Sequence, residues 1–184
     1  MVGKGDFVIV DYGLGNLRSV ANALNYLGCN VLISRDIRDL VSSAAIVLPG
    51  VGAFEEAMNN LDELKLADIL RQQVIEEKKP FLGICLGMQL LAESSEENGY
   101  HQGLGFIRAS VRKIPVEKPL RLPHIGWNDI EIINRDPLFL RLEGDTNFYF
   151  VHSYFLDCDA SYISSYCQYG ARVTASIQKD NIFA

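Results

Sequence analysis

The sequence predicts an α/β fold: an open, mostly parallel sheet flanked by helices, with antiparallel strands in the second half. Three observations carry this. Short apolar strands alternate with helical stretches through the first half, and such alternation builds a parallel sheet with helices packed on it. Glycine-rich turns at 11–16 and 49–54 follow two of those strands. Past Glu93 the chain changes to short apolar and β-branched runs, the pattern of strands joined by hairpins.

Phe7 to Val10 reads as the first strand. A helix follows from about 17 to 27, with Val20, Leu24 and Leu27 on one face and Gly28 to stop it. Gly13 and Gly15 could open a dinucleotide fingerprint, but Arg18 stands where its third glycine belongs, so that reading fails. Val31 to Ile33 is the second strand and Ala45 to Leu48 the third. A helical region runs from the 49–54 turn to about Glu77. Phe81, Leu82 and Ile84, bounded by Pro80, form a short fourth strand expected to be buried on both faces. The acidic stretch 93–99 reads as a loop. Strands are expected near 107–114, 129–133, 148–151, 163–169 and 172–177, the last two as a hairpin around Gly170. There is no repeat, low-complexity tract or linker, so residues 1–184 make one domain.

Composition narrows the function. The chain has 184 residues, 22% charged and 48% hydrophobic, with a net charge of −6 and no basic block. That balance argues against nucleic acid as a partner. No apolar run approaches the roughly 20 residues that span a bilayer, and residues 1–6 hold no apolar leader core. Cys29, Cys85, Cys158 and Cys167 show neither C-x-x-C nor zinc spacing. They read as reduced thiols of a cytoplasmic protein, with no metal and no cofactor.

The chemistry centres on Cys85, where the fourth strand gives way to a helix. Gly83 and Gly87 bracket it two residues to either side. This is the spacing of a nucleophile elbow, with Cys in the place of Ser. A Cβ on either flank would strike the neighbouring strand or helix. A helix N-terminus favours a thiolate, so Cys85 is expected to be the reactive cysteine. In an α/β sheet the active site gathers at the carboxyl ends of the strands. The Pro49-Gly50-Val51-Gly52 loop belongs there too, beside Cys85. On residue type alone, Cys85 suits a core, Gln89 a solvated helix face, and Trp127 either a core or an interface.

The stretch Gly83-Ile84-Cys85-Leu86-Gly87-Met88-Gln89 resembles the G-x-C-x-G-x-Q motif of class I glutamine amidotransferases, which have a flavodoxin-like fold. The resemblance implies that Cys85 attacks the side-chain amide of glutamine. Gly50, Val51 and Leu86 would then form the oxyanion hole. Gly52 and Gln89 would hold the substrate, together with Ser153 and Tyr154 of a Phe-Val-His-Ser-Tyr segment. His152 in that segment is not the family's general base. Residues 11–20 and the Pro-His-Ile-Gly-Trp-Asn segment at 123–128 resemble the glutaminase subunit of imidazole glycerol phosphate synthase. That resemblance implies a (β/α)₈ cyclase partner that uses the ammonia, met at Asn16, His124, Trp127 and Asn128. Alternatives are a non-catalytic subunit that docks on a synthase, the glutaminase of another ammonia-using synthase, or another cysteine hydrolase.

One departure stands out. The family takes its base and the carboxylate that orients it from a Q-F-H-P-E segment after the last strands. None of His101, His124 and His152 has that context. The natural chain is therefore expected to be longer, continuing past Ala184 into a segment with a His and, two residues on, a Glu.

Overall fold

The computed structural model describes residues 6–134, 137–142, 144 and 146–184; residues 1–5, read above as lacking a leader core, lie outside them. The first half runs β1 (Phe7–Val10), α1 (Leu17–Tyr26), β2 (Val31–Ser34), α2 (Ile37–Ser42), β3 (Ala45–Gly50), α3 (Phe54–Glu63), α4 (Leu66–Arg71), a π-helical turn (Gln72–Glu76), β4 (Phe81–Cys85) and α5 (Leu86–Gln89). The second half is β5 (Ser94–Ser95), β6 (His101–Gln102), β7 (Ala109–Lys113), β8 (His124–Ile132), β9 (Asn147–His152), β10 (Tyr154–Cys158), β11 (Ile163–Tyr169), β12 (Ala171–Lys179) and β13 (Ile182–Phe183).

The main sheet has nine strands in the order β2-β1-β3-β4-β13-β12-β11-β8-β9. From β2 to β13 neighbours pair parallel, and from β12 outward antiparallel. The expected mostly parallel sheet is there in the first half. A second sheet, β10-β7-β5-β6, was not foreseen. Its strands β5 and β6 are two residues long, so only their long-range partners make them strands. Part of the 93–99 stretch is thus strand rather than loop.

One face of the main sheet carries the core. Val8, Val10, Ile46, Leu48 and Phe81 pack with Phe54, Leu61, Leu66 and Leu70 of the helices, with Phe106 and Ile107 of the β6–β7 connection and with Leu156 of the second sheet. Each such side chain contributes about 1.5–3 kcal/mol on burial. The other face is thinner. Leu24 of α1 reaches it, but no residue of α1 is fully buried, and Leu27, at the C-cap, is 73% exposed. The predicted apolar face of α1 is therefore only half used. For the same reason β4 is buried on one side only. Phe81 is covered, while Leu82 lines an open groove of about 220 Å³ with Phe7, Val47 and Phe183.

Candidate active site

β3 and β4 are parallel neighbours with Gly50 opposite Cys85. The 49–52 loop and the turn at Cys85 therefore leave the sheet at the same carboxyl edge. Cys85 has φ 57° and ψ −113°, a conformation that costs a non-glycine residue on the order of 1–3 kcal/mol. The flanking glycines have a steric reason. A Cβ on Gly83 would lie 2.9 Å from the Gly87 carbonyl oxygen, and one on Gly87 would run into the Leu48 carbonyl. Gly50 is equally constrained, since a Cβ there would overlap the hydroxyl of Tyr12 and approach Leu86.

Burial works against the thiolate that a helix N-terminus would favour. Desolvation pushes the Cys85 pKa above its usual 9.0, and the hydrogen bond from the Leu86 backbone N–H pulls it only partly back. The reason is length. α5 is a single turn of four residues, too short for the aligned peptide dipoles of a long helix. Even so, Cys85 is the exposed one of the four free cysteines, while Cys167 is buried. Burial holds Cys158 and Cys167 still higher, at about 11.

Cys85 opens into a cavity of about 520 Å³, largely apolar, shared with Gln89, His152 and Tyr154. Gln89 Nε2 donates to the Tyr154 carbonyl at 3.1 Å. Val51 is exposed, and Gly52 sits beside it with φ 112°. Ser153 lies where the chain leaves β9 in one sheet and enters β10 in the other. Its carbonyl accepts from the Ile114 N–H at 2.9 Å, and it is not among the residues around the cavity.

The segments assigned to a partner face divide. Asn16 is exposed and caps α1, accepting from the Ser19 N–H at 3.3 Å. Trp127 is 70% exposed and meets Tyr149 edge to face at 5.6 Å. Paired as Ile125–Val151 and Trp127–Tyr149, these four make one exposed apolar face of the β8–β9 ladder. His124 is not part of it. It points to the opposite face of the ladder and is only 3% exposed, stacked on Tyr169 and Phe150. Asn128 lies on His124's side of the strand, bonded to the Gln168 carbonyl.

Two features escaped the sequence. The Tyr12 hydroxyl is buried beneath Gly50 with no hydrogen-bond partner among the described residues, and burial raises its pKa. His124 and His152 are register partners across β8 and β9, with Nδ1 and Nε2 at 2.9 Å. No local pattern announces either, because both depend on strand pairing. Among the described residues no histidine bonds the Cys85 thiol, and His101 instead lies 3.8 Å from Glu55.

An elbow cysteine, a glycine loop opposite it and a shared cavity define a class of enzyme. The family model for class-I glutamine amidotransferases matches residues 8–184, and the chain belongs to that family. Within it, the chain is 46% identical over 176 residues to an imidazole glycerol phosphate synthase subunit HisH 1 from Campylobacter jejuni, covering 96% of this chain and 88% of that one. It is 46% identical to a subunit HisH 2 from Vibrio vulnificus, covering 95% and 82%, and 44% identical to subunit HisH from Aquifex aeolicus, covering 96% and 85%. Among solved structures, a glutamine amidotransferase superposes with a TM-score of 0.74 at 20% identity over 96% of this chain and 87% of its own. One from Thermotoga maritima gives 0.63 at 17%, over 100% and 74%. Both show the shared fold. Among the described residues no helix is long and apolar enough to cross a membrane.

Proposed function

We propose that this chain is the glutaminase subunit of an imidazole glycerol phosphate synthase, with Cys85 as its nucleophile. The observation that carries the catalytic assignment is the strained, exposed Cys85 set opposite Gly50 and sharing a cavity with Gln89. The Cys85 sulfur bonds to the side-chain carbonyl carbon of glutamine, and the amide oxygen becomes an oxyanion. The Leu86 N–H, which now holds the thiol, and a backbone N–H of the Gly50–Val51 peptide receive that charge. The amide nitrogen takes up a proton, and collapse breaks the C–N bond to release ammonia and leave a γ-glutamyl thioester. Water cleaves the thioester to glutamate and restores the thiol. Gln89 and Tyr154, which line the cavity, and Gly52 position the substrate.

Ammonia released beside an apolar cavity calls for a partner that uses it. The cyclase subunit docks on the exposed Ile125–Trp127–Tyr149–Val151 face, and the exposed Asn16 at the start of α1 is a further contact. Four unpaired cysteines suit the reducing cytoplasm. Among the described residues no histidine bonds the Cys85 thiol to serve as its base; in the register of Phe183 with Leu82, a continuation of β13 would come abreast of Cys85 two residues beyond Ala184. The test is glutamine turnover with the synthase partner present, with and without Cys85→Ser, together with mass spectrometry after a glutamine-analogue chloroketone. Label on Cys85 and loss of turnover in the variant are expected. Undiminished turnover would overturn the assignment.

A further inference from the structure

Four side chains connect the partner-facing hairpin to the substrate cavity through an unbroken run of hydrogen bonds, and their directions can be deduced. Asn128 is fixed at both ends of its amide. Its Oδ1 accepts from the Asp129 N–H at 2.9 Å, and its Nδ2 donates to the Gln168 carbonyl at 3.1 Å. The second Nδ2 hydrogen is left for His124 Nε2, 3.3 Å away. That nitrogen must accept, so the proton of a neutral His124 ring sits on Nδ1. His124 Nδ1 then donates to His152 Nε2 at 2.9 Å. A neutral His152 is therefore protonated on Nδ1, which faces the Tyr154 carbonyl at 3.1 Å. A carbonyl can only accept, so the deduction from the far end gives the same answer. The second lone pair of that carbonyl takes Gln89 Nε2.

We propose that His124 and His152 are positioning residues for glutamine: a one-way hydrogen-bond relay running from Asn128 to the Tyr154 carbonyl, which fixes the Gln89 amide with its Oε1 free for substrate. This rests on the reading of the Cys85–Gln89 cavity as the glutamine site. The relay excludes an added proton, because one placed on either Nε2 would set donor against donor. Burial, which lowers both rings' pKa, keeps them neutral, and in His152 the nearby His124 adds to the effect. The groups packed around the pair are the Tyr169 phenol of β11, Phe150 of β9, Asn128 of β8, the Tyr154 carbonyl of β10, Gln89 of α5 and, across the cavity, the Cys85 thiol of β4. Among the described residues no carboxylate pairs with either ring. Disturbing Asn128 at the hairpin would thus reach Gln89 without any backbone shift.

Two measurements test this. Long-range ¹H–¹⁵N NMR of the imidazoles in the unmodified protein at neutral pH reads the tautomers whatever reaction the protein catalyses. Both rings should carry hydrogen on Nδ1 alone. A proton on Nε2 of either ring, or an imidazolium, would sink the relay. The second is kinetic, with the full-length protein and saturating synthase partner. His124→Phe keeps the stacking on Tyr169 but removes the Nδ1 donor. The KM for glutamine should rise about ten-fold with kcat within about three-fold. Unchanged KM, or a loss confined to kcat, would overturn the positioning role. If the unmodified complex turned over no glutamine, the functional reading would fall, while NMR still judged the relay.

Discussion

A Cβ on Gly87 would enter the Leu48 carbonyl, whereas one on Gly52 meets nothing and suffers only from a φ of 112°. Two alanine substitutions in one site should therefore differ in cost. Gly87→Ala is expected to cost about 3 kcal/mol or more, because backbone has to move. Gly52→Ala should cost about 1–2 kcal/mol, the penalty of a left-handed backbone alone. Urea midpoints of the two variants measure the gap. Cys85 makes a second prediction at this scale. Its thiol is held above the usual 9.0 by desolvation, so little thiolate exists at neutral pH in the free protein. Iodoacetamide labelling of Cys85 should keep climbing as pH passes 9. A rate already level at pH 7 would mean a thiolate stabilised by the turn, as the sequence alone suggested. At every pH Cys85 should label faster than buried Cys167.

At the scale of elements, the π-helical turn shows how one polar residue secures a junction. A π turn leaves carbonyls without their usual helical partners. Asn181, between β12 and β13, donates to the Val74 carbonyl at 2.9 Å and to the Lys79 carbonyl at 2.7 Å. It thereby fixes the approach to β4. Asn181→Ala strands two part-buried acceptors and should cost about 2 kcal/mol, read as a fall in thermal midpoint. The β8–β9 ladder makes the complementary case. Trp127 is 70% exposed, so Trp127→Ala should leave stability within about 0.5 kcal/mol. If it anchors the docking face, association with the synthase partner should weaken by about 2 kcal/mol or more, as titration calorimetry would show. Elements with a local signature were legible in the sequence. β1, β3, β4 and α1 announce themselves by apolar runs and glycine stops. α2 did not, because six residues capped by Asp36 hold too little periodicity. β5 and β6 could not, since two-residue strands exist only through their partners. That Gly50 would lie beside Cys85 was legible because strands of a parallel sheet end at one edge. His124 lies off the exposed face of the β8–β9 ladder, contrary to the sequence reading, because the side it presents is set by register with β9.

At the scale of the whole molecule, the sheet joins two halves with different tasks. The parallel half delivers Cys85 and the glycine loop to one edge. Beside the sheet Gln89 of α5 bonds the Tyr154 carbonyl of β10, and the antiparallel half ends in the β8–β9 ladder with its exposed Ile125–Trp127–Tyr149–Val151 face. β13 stands between the two halves, parallel to β4 on one side and antiparallel to β12 on the other. It is the strand whose continuation would pass beside Cys85. This geometry bears on the proton that departing ammonia requires. The raised thiol makes a base more necessary, because little thiolate forms unaided. His152 shares the cavity, but both its nitrogens are engaged, and His101 pairs instead with Glu55. An imidazole supplied by a segment after Ala184 would approach the thiol along β13, with a nearby carboxylate to hold its tautomer. Proteins of residues 1–184 and of the complete reading frame, each assayed with saturating synthase partner, should therefore differ in glutamine turnover by at least about 10²-fold, the contribution of one positioned acid–base group. The longer form should also show an acid limb in its pH profile that the shorter one lacks. Equal rates would mean that a group already present serves as the base, and His152 would be the first to test.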